Sequence, residues 1–154
     1  MLELYIMRHG ESGFISGQKD VDRALTKQGE SDIKMMSRYL KNEAKFDFVL
    51  CSVAKRTKST FYLLDLKTET VFENEIYEGS VELILKHLFR AKGQSVLYIG
   101  HNPGVTLLVQ YLTGYSQCGM VPGSCVKIKA DIEEWELISQ NLFQFEWYKY
   151  PEMF

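Results

Sequence analysis

Two histidines and two arginines carry the chemistry this sequence is equipped for. Arg8 and His9 lie in Ile6-Met7-Arg8-His9-Gly10-Glu11, Arg56 follows Ser52-Val53-Ala54-Lys55, and His101 lies in Gly100-His101-Asn102-Pro103-Gly104. A guanidinium is a planar fork of donors that fits phosphate oxygens, and an imidazole is a nucleophile or a proton carrier near neutral pH. Arginines beside histidines point to an anion and away from a metal, since they repel a cation. No HxH or HExxH spacing occurs in the chain. Nothing in the sequence implies a cofactor. Each group taken alone has a plainer explanation: a loop arginine, a histidine satisfied in a core, two solvated charges on a helix turn. Their recurrence in one structural setting is what favours a site.

That setting is the corner between a strand and a helix. The run Leu2-Glu3-Leu4-Tyr5-Ile6-Met7 has the aliphatic and aromatic content of a buried strand, and Gly10 permits a sharp turn after it. Asp47 to Cys51 reads as a second strand, with Ser52 placed to cap a helix running to Leu64 or Leu66 and Lys55-Arg56 in its first turn. Backbone donors at that helix start and the guanidinium would act on the same anion. Ser95 to Ile99 is another apolar strand, His101 follows it, and a helix runs from about Val105 to Leu112. Right-handed crossovers between parallel strands place all three corners on one sheet edge, where ligands of open α/β sheets bind.

The intervening stretches complete the architecture. Ser12 to Asp22, rich in Gly, Ser and Asp, reads as an active-site loop; Arg23 at its end is either a further guanidinium for the anion or a surface charge. Thr26 can cap a helix bearing Ile33, Met36, Tyr39 and Leu40 at helical spacing. Glu69 to Glu73 is a short strand, and Ser80 can cap the helix from Val81 to Phe89 that ends by Gly93. Thr113 to Gly123 is a loop, and Cys125 to Ala130 alternates as a half-exposed strand. Trp135–Ile138 and Leu142–Trp147 are expected to pair as a hairpin through Ser139-Gln140-Asn141. The whole is read as one domain over residues 1–154, a three-layer α/β sandwich. Its central sheet is mostly parallel, with helices on both faces and antiparallel C-terminal edge strands.

The composition, 45% hydrophobic and 25% charged with a formal net charge of −2, is that of a globular protein and argues against broad binding to nucleic acid or an anionic membrane. Three cysteines without a CxxC pair, and no signal-type stretch at the amino terminus, lead to the expectation of a reduced, cytoplasmic setting. Cys51, inside an apolar run, is expected to pack as a small hydrophobe. No apolar stretch approaches the ~20 residues that span a bilayer.

In their joint order, Arg8-His9-Gly10-Glu11, Arg56 after a strand-end serine, and Gly100-His101-Asn102-Pro103-Gly104 resemble the histidine phosphatase superfamily. Arg23-Ala24-Leu25-Thr26-Lys27-Gln28-Gly29 and the short chain resemble its SixA-type phosphohistidine phosphatase branch. Two positions depart from the family pattern: Val53 and Ala24 stand where proline is usual, and neither change removes a reacting group. The resemblance implies covalent catalysis at His9. Arg8, Arg56 and His101 would hold the phosphoryl oxygens, joined in substrate binding by Arg23 and Asn102. It further implies that His101 carries a proton, so that activity falls as pH rises through its pKa. Glu78, just before the third helix, is the candidate general acid by position, with a solvated first-turn glutamate as the alternative. The partner implied is a phosphorylated substrate, foremost a histidine-phosphorylated signalling protein. The competing functions are a small-molecule phosphomonoesterase, a sugar-phosphate mutase, which the short chain disfavours, and a catalytically silent module that binds phospho-ligands.

Overall fold

Alternation along the first strand already separates two faces. In the computed structural model, which describes residues 1–154, β1 (Leu2–Arg8) sends Leu2, Leu4 and Ile6 into one buried cluster and Tyr5 and Met7 into the other. The same division recurs in β2 (Phe48–Ser52) and β4 (Ser95–Gly100), which are buried along their whole length. β3 (Thr70–Glu73), β5 (Cys125–Ala130) and β6 (Gln144–Lys149) complete one sheet of order β3-β2-β4-β1-β5-β6. The first four strands are mutually parallel, while β5 and β6 run antiparallel at one side. Helices α1 (Lys27–Glu43) and α2 (Lys55–Leu64) cover one face; α3 (Val81–Leu88) and α4 (Gly104–Thr113) cover the other. This is the three-layer α/β architecture expected from the pattern of strands and helices. None of the helices is long and apolar enough to cross a membrane.

Register levels the strand ends that carry chemistry. Arg8 pairs opposite Gly100 across β1 and β4, and Cys51 opposite Ile99 across β2 and β4. Arg8-His9, Ser52 and His101 therefore leave the sheet side by side. Thr26 caps α1 as expected, its hydroxyl accepting from the Gly29 amide at 3.0 Å. Ser52 does not cap α2. It ends β2 fully buried, and the helix begins three residues later behind Ala54. Ser80 holds the N-cap position of α3 without a side-chain bond.

The expected hairpin between Trp135–Ile138 and Leu142–Trp147 is not formed. β6 pairs instead with β5, and Trp135–Leu137 is a short 3-10 turn. The reason lies in unpaired backbone. The amides of Asn141 and Phe143 donate to the carbonyls of Tyr111 and Leu112 in the last turn of α4, which would otherwise lack partners. Trp135 buries its indole and donates from Nε1 to the Gly93 carbonyl at 2.7 Å, so it closes a loop rather than extending a sheet. Trp147 and Phe154 pack around Tyr39, and Trp147 also meets Tyr5; the C-terminal aromatics thus cover the domain's own α1 face.

The segment between β3 and α3 reaches the edge where the chemistry lies. At its base His87, almost buried on α3, has Nε2 3.2 Å from Glu75 and Nδ1 3.6 Å from Glu73. At its other end Gly79, with φ at +75°, lies backbone to backbone against Gly104 at the start of α4. A Cβ on Gly104 would stand 2.5 Å from the Gly79 carbonyl oxygen, so only glycine permits this approach. Gly104→Ala is therefore expected to lower stability by about 1–3 kcal/mol, the range for forced overpacking, measured by urea unfolding.

Candidate active site

A cavity of about 450 Å³ opens at the carboxyl ends of β1, β2 and β4. Arg8, His9, Arg56 and His101 line it together, so the four residues singled out by spacing meet in space. His9 is 7% exposed, and its Nδ1 lies 2.7 Å from the Gly10 carbonyl. A carbonyl only accepts, so Nδ1 carries the ring proton and Nε2 keeps its lone pair. Arg56, in the first turn of α2 and itself buried, donates from Nε to that Nε2 at 3.3 Å.

His101 stands beside His9 with ring centroids 5.3 Å apart. Its Nε2 is 2.8 Å from the hydroxyl of Ser52, which explains why that serine is buried at a strand end instead of capping a helix. Arg8 donates from Nη1 to the Met120 carbonyl at 2.9 Å. Arg8 Nε and His101 Nδ1 are buried and bond no other group of the protein. Both atoms are closed off from solvent, as are the unpaired hydroxyls of Ser95 and Tyr98, so the unmet bonding capacity of Arg8 and His101 lies within the cavity wall rather than on its surface.

Burial dominates the electrostatics. It pushes the His9 pKa down to about 4, with the positive charges of Arg56, Arg8 and Arg23 acting in the same direction. It pushes His101 down to about 3, helped by His9 and Arg56. Both imidazoles are thus neutral in the free site at neutral pH. A protonated His101, expected from the sequence, is not the ground state of this site without an anion. The Arg8 pKa is also lowered, first by desolvation. Burial raises the Cys51 thiol to about 12, in keeping with a packing role.

The weaker sequence candidates also reach the cavity. Glu78 lines it, exposed and without a hydrogen bond to the protein. Asn102 lines it while donating from its amide to the Met120 carbonyl at 3.0 Å and accepting from Thr106 at 2.7 Å, so it braces the loop before β5 against α4. Arg23 bonds the Gly13 carbonyl, the Ser12 hydroxyl and the Asp20 carboxylate. Sequence reasoning placed Ser12 and Asp20 in an active-site loop without assigning either a role, and gave none to Glu11 or Tyr77, which also line the cavity. Asp20 and Tyr77 are hydrogen-bonded to each other across 57 positions, a separation no local pattern records.

A doubly faced α/β sheet whose strand ends gather arginines around a neutral histidine defines an anion-binding enzyme class of the phosphoglycerate-mutase-like fold. The model of the histidine phosphatase superfamily, branch 1, matches residues 4–83, and the chain belongs to that superfamily. The uncharacterized protein Rv1276c of Mycobacterium tuberculosis is 26% identical over 113 residues, covering 71% of this chain and 72% of that protein. Among solved structures, the provisionally named phosphohistidine phosphatase SixA from Nakamurella multipartitia superposes with a TM-score of 0.88 at 22% identity, over 97% of this chain and 96% of that one. The protein histidine phosphatase SixA complexed with tungstate gives a TM-score of 0.82 at 25% identity, over 99% of both chains. The fold and motifs are those of the SixA-type branch.

Two measurements follow from the imidazole environments. Nitrogen NMR at pH 7 should show His9 as the neutral Nδ1–H tautomer, with a titration midpoint near 4 rather than its ordinary 6.5. Above pH 6.5 both folded and unfolded chains hold His9 and His101 neutral, and below it the unfolded chain takes up protons first. Folding stability should therefore drop as pH falls from 6.5 toward 4, measured by denaturant midpoints across that range.

Proposed function

We propose that this protein is a phosphatase acting through a phosphohistidine at His9, with N-phosphohistidine in a protein as its preferred substrate. The observation that carries the reading is the pairing of His9 with Arg56: Nδ1 is fixed by the Gly10 carbonyl, and Nε2 is left unprotonated beside a guanidinium. The Nε2 lone pair attacks phosphorus, and the phosphorus–nitrogen bond to the substrate imidazole breaks with its electron pair leaving on that nitrogen. Water then cleaves the His9 phosphoramidate, releasing inorganic phosphate and restoring neutral His9. Arg8 and Arg56 hold the phosphoryl oxygens through both steps, the electrostatic contribution on which phosphoryl transfer chiefly depends. An arginine-lined cavity disfavours a divalent cation, so these steps use the chain's own groups.

His101 enters the reaction as the proton-dependent member. A phosphoryl dianion beside it favours the imidazolium, which raises its pKa from about 3 when the anion binds. Binding therefore takes up a proton where the pH lies between the free-state and bound-state pKa values, and affinity weakens as pH rises through that acidic window. Calorimetry of phosphate binding in buffers of different ionisation enthalpy should report that uptake, and His101→Ala should abolish it.

Glu78 is assigned the general acid for poor leaving groups. Glu78→Gln should slow hydrolysis of an alkyl phosphoester by about 10²-fold, the lower range of general-acid contributions, and slow a phosphohistidine donor far less. Equal, unchanged rates on both donors would remove the assignment.

Support for a protein substrate comes from the rim. Phe14 and Ile15, two and three residues after the cavity-lining Ser12, are 73% and 67% exposed, an apolar pair on the loop that leaves the polar cavity. The SixA neighbour that carries tungstate is described as a protein histidine phosphatase, in line with this reading. Acid-stable mass spectrometry is unsuited to phosphoramidates, so the decisive test is an alkaline quench during turnover of a phosphohistidine donor. A phosphate adduct on His9, absent in His9→Ala, is expected; turnover that survives His9→Ala overturns the mechanism.

A further inference from the structure

The proposal starts from what already sits on Arg56. Its Nη2 donates to the Asp20 carboxylate at 3.0 Å and its Nη1 to the Asp20 backbone carbonyl at 2.8 Å. The other oxygen of the same carboxylate accepts from Arg23 at 3.2 Å, and the Tyr77 hydroxyl bonds to Asp20 as well. The outer edge of the guanidinium, the part that forks onto an oxyanion, is thus engaged by Asp20, one Nη on its carboxylate and the other on its backbone carbonyl. The Arg56 Nε is directed to His9.

The two partners are not equally fixed. The Arg56 side chain is 8% exposed, whereas that of Asp20 is 54% exposed. Asp20 lies in a single 3-10 turn, Asp20–Asp22, that buries none of its residues. A carboxylate at the solvent boundary can leave for water with little desolvation to recover, while a buried guanidinium left behind requires another anion at once. The Tyr77 hydroxyl, and after it Arg56 and Arg23, hold Asp20 below the usual carboxylate range, so it is an anion at any working pH.

We propose that Asp20 is a specificity-determining residue: a tethered carboxylate that occupies the phosphoryl seat on Arg56 and yields it only to an anion that binds the guanidinium more strongly. The inference rests on the phosphate-site reading above. A tethered carboxylate competes at an effective concentration of the order of millimolar, which excludes free carboxylates of equal intrinsic affinity. A phosphoryl dianion has the extra charge and the third oxygen to reach Arg8 and His101 as well, so it displaces Asp20 where a monoanion does not. Tyr77, whose ring stands 5.4 Å from that of His101 and 5.9 Å from the Arg56 guanidinium carbon, is the latch. Its hydroxyl stabilises the seated carboxylate.

The test is calorimetric titration of inorganic phosphate into the full chain at pH 7, with Asp20→Asn, Tyr77→Phe and Asp22→Asn compared with the unaltered protein. Asp22 lies in the same turn and makes no ion pair, so its variant controls for loss of one negative charge. Asp20→Asn should bind phosphate about tenfold tighter, the gain from opening a seat that is free about a tenth of the time. Tyr77→Phe, which changes no charge, should tighten binding severalfold, and Asp22→Asn should leave it unaltered. Weaker or equal binding in Asp20→Asn overturns the proposal, as does equal tightening in Asp22→Asn or weakening in Tyr77→Phe. If the unaltered protein binds phosphate and Asp20→Asn binds no better, the phosphate site stands and only the seat is lost. If no variant binds phosphate, both readings fall.

Discussion

A buried guanidinium has to be partnered, and the site is arranged around that requirement for Arg56. Its Nε faces His9, its Nη groups face Asp20, and its ring neighbour Tyr77 bonds the same carboxylate. Removing any one contact leaves a positive charge in a poorly solvated position, which is why three distant segments converge there. The consequence for His9 is direct. Burial keeps the imidazole neutral, the guanidinium adds to that effect, and the Nε2 lone pair faces Arg56, from which it must turn to meet an anion.

The sheet supplies the precision. Because β2, β4 and β1 are adjacent and parallel, the residues after them emerge at one level, and the hydroxyl that ends β2 reaches the imidazole that follows β4. That Ser52–His101 bond fixes one ring nitrogen and leaves the other unpaired, the state in which an arriving anion alters the protonation of the ring most. The backbone contact between Gly79 and Gly104 then holds the segment bearing Tyr77 and Glu78 against the His101 corner. Geometry at the two sides of the cavity is thereby shared through main chain rather than through adjustable side chains.

The strands and helices that build the site were legible because each is a short apolar run followed by a turn and a periodic helix. Arg8, His9, Arg56 and His101 could be read for the same reason: their positions relative to strand ends are local properties. The C-terminal segment was legible in part: Leu142–Trp147 was read as an antiparallel edge strand, and β6 is one, but its expected partner Trp135–Ile138 is not a strand. Its alternating aromatics fit a strand pattern, yet the Trp135 indole and the amides of Asn141 and Phe143 satisfy carbonyls elsewhere. Ser52 was read as a helix cap because serine before a helix usually is one; its actual partner lies 49 positions away. Asp20 was legible only as one residue of an active-site loop, and Tyr77 not at all, since an acidic loop residue and a tyrosine before a helix acquire their roles only once the sheet has brought them to Arg56.

The cavity wall carries Arg8, Arg23 and Arg56 on one side of the charge balance and Glu11, Asp20 and Glu78 on the other. Three positive and three negative groups cancel at a distance, on a chain whose formal net charge is −2. A phosphorylated partner approaching from solution therefore meets almost no steering field, and its attraction begins only at contact range. For the protein substrate proposed above, encounter would then proceed at the unassisted protein–protein rate, on the order of 10⁵–10⁶ M⁻¹s⁻¹, with little dependence on ionic strength. Discrimination among such substrates would fall to the shape of the contact surface rather than to the speed of capture.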